Sequence, residues 1–491
     1  MKRSASLAMT MILLAGLLAS CGSEAAVTET TTAAPEAADT AAETRDSLPA
    51  GLNFNGEMVN ILCRTSDMVE WENELYVETD DGDIVNSAVY ARNRTVEERL
   101  NVKLNYIEMG GQWNVMNAFM NAVKNSVNAG DQAYDLVASY RHYMPQLATE
   151  GYFYNLHEVP HLDFSQPWWK GNFTSELTVD GKLHFMAGDI GNSMLKGMLV
   201  MFYNKQLAEE WKLPDIYELV ASGDWTIDKA MEICTKVTGD LNGDNKLDVE
   251  NDLFSLFSNH CQEFFDVLDS PFTKMNSKGI PELVFNNEKS AGIVEKLNKL
   301  FYETGAVPYS TSADGTVGWE AGLDMFKSDR LLIWAHCLGY AQSLRDMESD
   351  FTVIPYFKWD STQENYNTVV QNNMTIFSIP VNCEKIEAVG AVTEALAVEG
   401  YYSVTPAYYE MALGTKYMRD EQAKEMLEII RNGVTFNFGT IYSIQLDNIY
   451  NTMPGMIASN SNDFVSYYAA REQNWNELLG KIITAYEEME Q

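Results

Sequence analysis

The chain has 491 residues, of which 34 are Lys or Arg and 70 are Asp or Glu, so its formal net charge at pH 7 is −36. Such an acidic surface repels phosphate backbones, which argues against nucleic acid as a partner and disfavours anionic ligands outside a local basic pocket. The length exceeds the ~250–300 residues at which one hydrophobic core usually divides, so two domains or lobes are expected.

The N-terminus has the pattern of a secretory signal peptide over residues 1–20. Lys2 and Arg3 precede an apolar run over residues 7–18, and small residues follow up to Cys21. The run is shorter than the ~20 residues that a membrane-spanning helix needs, and this order of segments is typical of a cleaved signal. Leu-Ala-Ser-Cys, ending at Cys21, resembles the lipobox of bacterial lipoproteins, which implies a lipid on Cys21. An ordinary signal peptide that contains a cysteine is the alternative.

The segment after Cys21 predicts a disordered tether over residues 21–50. Residues 22–49 are mostly Ala, Thr, Glu, Asp and Pro, with no aromatic side chain. Such a composition buries too little apolar surface to offset the entropy of ordering. We therefore expect folded structure to begin near Leu52.

Strands and helices alternate in the next part of the chain. The pattern predicts a strand over residues 58–63, a helix opened by Asp83, a strand over 102–107, a helix from about Trp113 that ends at Gly130, and a strand over 134–139. Alternation of this kind is typical of a parallel sheet covered by helices.

The alternation continues to the end of the chain. Further predicted elements are strands over residues 197–202, 330–335, 351–355 and 374–379, a helix capped by Thr226, a helix over about 386–396, and a largely helical tail from about Tyr401. The capping prediction for Thr226 depends on its hydroxyl, which can accept a hydrogen bond from a free helix N–H.

One loop has the spacing of a calcium site. Its candidate ligands are Asp240, Asn242, Asp244, Lys246 through its carbonyl, Asp248 and Asp252. Ca²⁺ prefers six to eight oxygen ligands, and this spacing wraps oxygens around one point. The pattern departs from the usual one, since Asn245 stands where glycine is preferred and Asn251 where glutamate closes the shell. A structural Ca²⁺ is predicted, with an acidic solvated turn as the alternative.

Cysteine usage and motifs give little sign of other chemistry. The cysteines beyond Cys21 are Cys63, Cys234, Cys261, Cys337 and Cys383. Their wide spacing predicts buried free thiols, with a pair between Cys234 and Cys261 left open, and no Cys/His spacing points to a transition metal. GxSxG, HExxH, Walker A and Rossmann motifs are absent from the sequence, so an enzyme is not expected.

Several short segments, in this order, resemble an extracellular solute-binding protein of a bacterial ABC importer, of the sugar-binding type. The resemblance covers roughly residues 55–400 and depends on the order of weak motifs. In chain order these motifs are Tyr134-Asp-Leu-Val, Gly151-Tyr-Phe-Tyr-Asn-Leu, Tyr203-Asn-Lys, Gly223-Asp-Trp-Thr, Met325-Phe-Lys-Ser-Asp-Arg-Leu-Leu-Ile-Trp, Val353-Ile-Pro and Ile376-Phe-Ser-Ile-Pro.

The resemblance implies an α/β, two-lobed periplasmic-binding-protein-like fold with a ligand cleft between the lobes. By analogy, the N-terminal lobe comprises residues 52–160 and 356–400, and the C-terminal lobe residues 161–355 and 401–491. It also implies a monomer, held by its lipid at the outer face of the cell membrane. This monomer would capture a carbohydrate by hinge closure and deliver it to the transmembrane permease.

A sugar site needs flat rings for the C–H faces and polar groups for the hydroxyls. The candidates at strand ends and in cleft loops are Tyr140, Arg141, Trp168, Trp169, Asp189, Asn192, Trp319, His336, Asn372 and Asn373, with Trp71 in a similar position. Neighbours in an extended segment face opposite ways, so at most one of Trp168 and Trp169 is expected to stack on a ligand. Trp334, inside an apolar strand, is expected in the core.

Other functions remain open at this point. One is a surface enzyme that acts on polysaccharide, and another is a glycan-capturing lipoprotein without a permease. A peptide- or metal-binding lipoprotein is a third.

Overall fold

The computed structural model describes residues 45–65, 71–308, 320–413 and 421–489. All of these residues belong to one compact unit. Among them, no helix is both long and apolar enough to span a membrane. The proposed signal peptide, Cys21 and most of the proposed tether lie outside the described residues.

The strands that build the fold are short. They are β1 (Glu57–Arg64), β2 (Val102–Met109), β3 (Leu136–Tyr140), β4 (Leu199–Asn204), β5 (Phe254–Ser258), β6 (Thr273–Met275), β7 (Pro281–Leu283), β8 (Ala306–Pro308), β9 (Leu331–Cys337), β10 (Phe351–Ile354), β11 (Thr368–Val369), β12 (Thr375–Ser378) and β13 (Val434–Thr435).

Helices alternate with these strands and make up most of the C-terminal part. They are α1 (Ile84–Leu100), α2 (Met116–Ala129), α3 (Met144–Thr149), α4 (Gly171–Leu177), α5 (Ser193–Lys196), α6 (Lys205–Glu210), α7 (Ile216–Ala221), α8 (Ile227–Lys236), α9 (Phe264–Val267), α10 (Glu288–Glu303), α11 (Ala321–Lys327), α12 (Ile386–Glu399), α13 (Thr405–Leu413), α14 (Glu421–Asn432), α15 (Phe438–Ile441), α16 (Thr452–Ala458), α17 (Phe464–Ala469) and α18 (Glu472–Glu488).

The first sheet has the strand order β12-β3-β1-β2. Its strands β1, β2 and β3 are parallel, as the alternation predicts. β12 pairs with β3 in the antiparallel sense, with Thr375 opposite Tyr140. Because β12 runs the other way, its first residue lies at the same edge of the sheet as the last residue of β3.

The second sheet has the strand order β10-β4-β9-β5-β8 and is mixed. β4 is antiparallel to both of its neighbours, whereas β5 is parallel to β9 and to β8. Neither β5 nor β8 was predicted from the sequence. β5 is buried at all five positions, and its sequence Phe-Ser-Leu-Phe-Ser is too short and too irregular in its alternation to mark it as a strand.

Two segments of the chain cross between the sheets, one on the way from β3 to β4 and one on the way from β10 to β12. They meet side by side, because Met198 and Val370 form an antiparallel bridge and Gln371 N donates to Gly197 O at 2.8 Å. Two connecting segments that lie side by side therefore join the sheets. The lobe boundaries given above stay a prediction.

Packed structure begins earlier than residue 52. Leu48 is buried in the core, and the Asp46 carboxylate accepts a 2.8 Å hydrogen bond from Arg99 near the end of α1. The proposed tether over residues 21–50 therefore extends too far at its C-terminal end. The sequence did not indicate this, because the stretch has no aromatic residue and its packing depends on partners some fifty residues away.

Three helix ends that were predicted from capping residues lie where the structure has them. The Asp83 carboxylate accepts from the backbone of Val85 and Asn86 at the start of α1, and Gly130 ends α2 with a φ of 64°. Thr226 caps α8 through Lys229 N. In each case the residues that decide the structure are adjacent in sequence, so no tertiary partner was needed.

The described cysteines are all buried thiols and none of them is in a disulfide, as the sequence predicts. They are Cys63, Cys234, Cys261, Cys337 and Cys383. The pair between Cys234 and Cys261 that the sequence left open is not formed.

Candidate functional site

The carboxyl edge of the first sheet carries a group of ordered rings and cations. Trp71 packs edge-on against Tyr140, with 5.9 Å between ring centroids, and the Arg64 guanidinium lies 3.3 Å from the Trp71 ring centre. Arg64 donates a hydrogen bond to the Thr375 hydroxyl, and this hydroxyl donates one to Glu74, each at 2.6 Å. These contacts join the end of β1, the start of β12 and the loop that carries Trp71.

The residues after β3 extend this edge towards solvent. His142 lies 5.1 Å from Trp113 and 5.8 Å from Tyr140 between ring centroids. Burial lowers the pKa of His142 to about 4, with the neighbouring Arg141 charge acting in the same direction. Trp113 is half-exposed, at 50%, so it offers a flat apolar surface beside a neutral imidazole.

The loop that enters β12 adds amide groups to the same edge. Asn372 accepts a 3.0 Å hydrogen bond from the Tyr140 hydroxyl. Asn373 is 2% exposed, and neither its side-chain oxygen nor its nitrogen has a hydrogen-bond partner. The side-chain oxygen and nitrogen of Asn192, just before α5, are likewise buried and have no hydrogen-bond partner. Buried amides normally have partners, since leaving them unpaired costs about 1–3 kcal/mol.

The carboxyl edge of the second sheet is rich in imidazole and phenol. His260 follows β5, and His336 lies near the end of β9. The two rings are edge-on at 5.1 Å, and Tyr340 lies 3.9 Å from His336 between ring centroids. Trp334 donates its indole N–H to Asn259 at 2.8 Å and is buried, which agrees with its predicted place in the core.

Arg141 connects the two edges electrostatically. It follows β3 but is fully buried, and burial lowers its pKa while Tyr450, Glu263 and Asp266 act in the opposite direction. Burial raises the pKa of Glu263 to about 7 and that of Asp266 to about 6. Tyr450 donates to Glu263. A cation from the first sheet thus lies in the field of two carboxyl groups from α9 and the turn before it.

These groups keep hydrogen-bonding capacity that the described protein does not use. Atoms that are buried and unpartnered include Arg141 Nε and Nη2, Glu263 Oε2, Asp266 Oδ1 and the Tyr356 hydroxyl. They combine strong donors with strong acceptors, next to aromatic rings. Such a set can hold a polyhydroxylated or otherwise polar molecule by hydrogen bonds and ring stacking.

The structure therefore places four of the predicted site residues at the edge of the first sheet, namely Tyr140, Arg141, Asn372 and Asn373, and a fifth, His336, at the edge of the second. It also shows contributors that the sequence reasoning did not single out for the site, namely Trp113, His142, Glu263, Asp266, Tyr356 and Tyr450. His142 stood in a polar and aromatic run after a predicted strand, which was a usable signal. Glu263 and Asp266 had none, because they are two acids among 70.

Trp168 and Trp169 have a structural role instead. Both are buried, and their indole N–H groups donate to the two carboxylate oxygens of Glu394 in α12, at 2.8 and 2.9 Å. The prediction that one of them stacks on a ligand has no support in this geometry. Both rings turn to one acceptor because the chain around them is bent and not extended.

Asp189 lies apart from the two edges in its contacts. Its Oδ1 accepts from Thr405 at 2.7 Å, its Oδ2 is 4.0 Å from Lys170 Nζ, and its carbonyl lies against Gly400. Gly400 and Thr405 belong to the junction between α12 and α13, a π-helical turn over Gly400–Val404, and Lys170 precedes α4. Trp319, the remaining predicted ligand residue, lies outside the described residues.

The predicted calcium loop has the expected backbone, but the structure does not test a metal there. Asn245 adopts a φ of 64°, the left-handed conformation that this position requires. Asp240 accepts from the backbone of Gly243 and Asn245, and Asp252 from Leu241 and Asp248. The side chains fit a cation in kind, since they are oxygen donors, and Ca²⁺ stays a prediction.

A separate cavity of about 800 Å³ lies among the C-terminal helices. Its lining includes Tyr401, Tyr409, Lys424 and Arg431, and no residue of either large sheet. It is mainly apolar and distant in sequence from the strand ends. The Tyr409 hydroxyl in its lining is also buried and unpartnered. We nevertheless place the candidate site at the two sheet edges, where such groups from both sheets lie beside aromatic rings.

No protein-family model matches this chain, and neither does any curated protein.

Solved structures, by contrast, match over most of the chain. A cyclic alpha-maltosyl-1,6-maltose binding protein from Arthrobacter globiformis is 14% identical, with a TM-score of 0.57, over 86% of this chain and 99% of its own. A sugar transporter protein from Rhizobium etli in an open conformation is 12% identical, with a TM-score of 0.56, over 88% and 100%. An ABC substrate-binding protein from Listeria monocytogenes in complex with cycloalternan is 13% identical, with a TM-score of 0.53, over 87% and 99%.

At these identities the likeness concerns the fold. The chain has the α/β, two-sheet, periplasmic-binding-protein-like fold that its motif order predicts.

Proposed function

We propose that this chain is the substrate-binding subunit of an ABC importer, that it captures a carbohydrate at the facing edges of its two sheets, and that a lipid on Cys21 holds it at the outer face of the cell membrane. The observation that carries the proposal is the set of buried, unpartnered polar atoms around Arg141 and Asn373, placed beside aromatic rings. The solved structures named above support it further, since one is a cyclic alpha-maltosyl-1,6-maltose binding protein and another is in complex with cycloalternan.

The chemistry of the edge suits a neutral saccharide. Trp113 and Tyr140 offer ring faces to C–H groups, and Asn373 offers both a donor and an acceptor to neighbouring hydroxyls. Arg141 is accompanied by Glu263 and Asp266, so the site has no large excess of positive charge for an anion. A sugar hydroxyl can accept from Arg141 and donate to Glu263 at once.

Capture would proceed by closure of the two halves. Ligand contacts with groups from both sheets favour the arrangement in which the edges meet, and so shift the population towards it. The paired segments around Met198 and Val370 are the continuous backbone between the halves, and we place the hinge there. The permease would then bind only the closed form.

The first experiment is a thermal-shift and calorimetric screen of the purified chain with mono- and oligosaccharides, amino acids and short peptides. A ligand that binds only the folded state raises the free energy of unfolding by RT ln(1 + [L]/Kd). We expect a rise with one group of saccharides only. A rise with amino acids or peptides alone, or hydrolysis of the bound sugar, would contradict the proposal.

Arg141→Lys tests the site itself. Lysine keeps the charge but loses the planar fork of donors, and one charged hydrogen bond is worth about 1.5–3 kcal/mol. We therefore expect the Kd for the identified sugar to rise about ten- to hundredfold. Arg94→Lys, on the exposed face of α1, is the matched control and should leave the Kd unchanged. Equal affinities in both variants would remove Arg141 from the site.

A further inference from the structure

Three metal-ligating side chains meet at the carboxyl edge of the second sheet. His260 follows β5, and His336 and Cys337 end β9. β5 and β9 are parallel neighbours, with Ser258 opposite Ala335, so the residues that follow lie side by side. One ring nitrogen of each histidine and the Cys337 sulfur lie within 4.8 Å of one another. The sequence had argued against a transition metal because no Cys/His spacing was visible, yet the pairing of two strands produces the cluster.

The state of the side chains suits metal ligation. The three residues are nearly inaccessible, at 4%, 1% and 0% exposure for His260, His336 and Cys337. Burial lowers the pKa of His260 to about 3 and that of His336 well below its usual value. Both rings are therefore neutral. His336 Nδ1 accepts a 2.7 Å hydrogen bond from the Cys337 backbone N–H, and a metal ion on the neutral His336 ring would replace this contact. His260 Nε2 is only 3.6 Å from Cys337 Sγ.

Glu263 occupies the position of a supporting carboxylate. Its Oε1 lies 3.9 Å from His260 Nδ1, on the side of the ring away from the Nε2 that approaches Cys337. Metal-bound histidines usually donate their other ring N–H to a carboxylate or carbonyl, which fixes the ring and makes it more basic. Tyr450 holds the same Glu263 oxygen in place.

We propose that His260, His336 and Cys337 bind one divalent transition-metal ion with the ligand preference of Zn²⁺. Two imidazoles and one thiolate form a nitrogen and sulfur set that Zn²⁺ favours over the oxygen ligands of Ca²⁺ or Mg²⁺. This site goes beyond the carbohydrate function proposed above and does not depend on it.

The required rearrangement is small. Zn–N and Zn–S distances of about 2.0–2.3 Å need the ligand atoms to move together by about 1 Å. The Cys337 thiol gives its proton to solvent as the Zn–S bond forms, so binding is expected to weaken at low pH. Three protein ligands leave a fourth position of the tetrahedron for water or for a donor atom of a bound ligand.

Cobalt is a suitable probe, because tetrahedral Co²⁺ is coloured and a thiolate ligand adds a charge-transfer band. The purified full chain, stripped of metal, is titrated with Co²⁺ and then with Zn²⁺. We expect one Co²⁺ per chain, with tetrahedral and charge-transfer absorption that Zn²⁺ displaces. X-ray absorption of the Zn²⁺ form should show one sulfur and two imidazole neighbours.

Variants assign the ligands. Cys337→Ser should abolish the charge-transfer band, and His260→Gln should weaken Co²⁺ binding at least tenfold. Glu263→Gln should weaken it about 10–100-fold, as expected for a carboxylate that supports a metal-bound histidine. Matched controls are Cys383→Ser, whose thiol lies beside Asp135, and His157→Gln, an exposed histidine. Both should bind Co²⁺ as the unchanged chain does.

Two results would overturn the proposal: no stoichiometric Co²⁺ or Zn²⁺ binding by the unchanged chain, or binding without a sulfur neighbour in its spectra. These readouts need no variant, so they hold even if Cys337→Ser fails to fold. Saccharide affinity, measured separately on the metal-free chain, shows whether the carbohydrate proposal fails with it.

Discussion

Glu394 shows how one buried carboxyl group organises its surroundings. Its two oxygens accept from the indoles of Trp168 and Trp169, and Asp163 N donates to it at 3.3 Å. Burial nevertheless raises its pKa to about 7, with the nearby Asp163 charge acting in the same direction. The folded protein thus holds a proton at Glu394 at pH values where an unfolded chain has released it.

This raised pKa sets a direction for stability against pH. Between the ordinary value of 4.5 and about 7, the native state binds more protons at this site than the unfolded state, so rising pH lowers the free energy of unfolding. The contribution is fully present below pH 4.5 and is lost as pH passes 7. Glu394→Gln cannot titrate, so the difference in unfolding free energy, wild type minus variant, should shrink from pH 5 to pH 8.

Urea unfolding at pH 5, 6, 7 and 8 measures that difference. Glu425→Gln, on the exposed face of α14, is the control and should show a small difference that does not change with pH. A pH-independent difference for Glu394→Gln as well would mean that the carboxylate is ionised in the folded protein throughout.

Residue-level chemistry explains why the candidate site was only half predictable. Tyr140 and Arg141 follow a predicted strand, and Asn372 and Asn373 precede another, so local pattern placed both pairs at a sheet edge. His260 and Glu263 lie at the edge of the second sheet because they follow β5, which was not predicted, and Tyr450 reaches Glu263 from the C-terminal segment. Their proximity is a property of tertiary pairing, and no spacing rule within the sequence encodes it.

At the scale of elements, α12 depends on a close approach that only glycine permits. A Cβ on Gly390 would lie 2.0 Å from the Pro160 carbonyl oxygen, so Gly390→Ala must push the helix away from that segment. Overpacking of this kind costs about 1–3 kcal/mol. We expect urea unfolding to show a loss of that size.

Gly480→Ala is the matched change in α18, where a Cβ would meet nothing within 4 Å. Alanine is favoured over glycine inside a helix by roughly 0.5–1 kcal/mol, so this variant should be more stable than the wild type. If both alanine variants changed stability in the same direction, the contact with Pro160 would not be the cause.

The loop between α8 and β5 carries the calcium prediction. We expect Ca²⁺ to raise the melting temperature of the chain, and EDTA to reverse the rise. Asp244→Ala should abolish the Ca²⁺-dependent increment, because it removes one charged ligand, whereas Asp346→Ala, an exposed aspartate elsewhere, should keep it. The increment is the informative quantity, because Asp244 also accepts from Lys246 N and its loss weakens the loop without metal. An unchanged melting temperature in Ca²⁺ would refute the site.

Element prediction succeeded where the deciding partners are local. The caps at Asp83, Gly130 and Thr226 are examples, as is the alternation that gave β1, β2 and β3. β8 was not predicted, for the opposite reason: it has three residues and exists only because β5 pairs with it. β12 was predicted as a strand, but its antiparallel direction depends on the distant partner β3.

At the scale of the whole molecule, the proposed closure has a measurable consequence. Small-angle X-ray scattering of the chain should give a smaller radius of gyration with the identified saccharide than without it, since the two halves approach each other. Arg141→Lys should need more ligand for the same change, in proportion to its weaker binding. An amino acid that does not bind should leave the curve unchanged. A saccharide that binds tightly but does not alter the scattering would refute hinge closure.

The pairing of β12 with β3 also affects how the chain is made. Tyr140 meets its partner Thr375 only after the intervening 234 residues have appeared. At ordinary synthesis rates this interval is on the order of tens of seconds, during which the edge of β3 has open N–H and C=O groups and invites wrong strand partners. We therefore expect that the N-terminal half does not mature by itself, and that a chain truncated before β12 is a substrate for chaperones and proteases and not a smaller working protein.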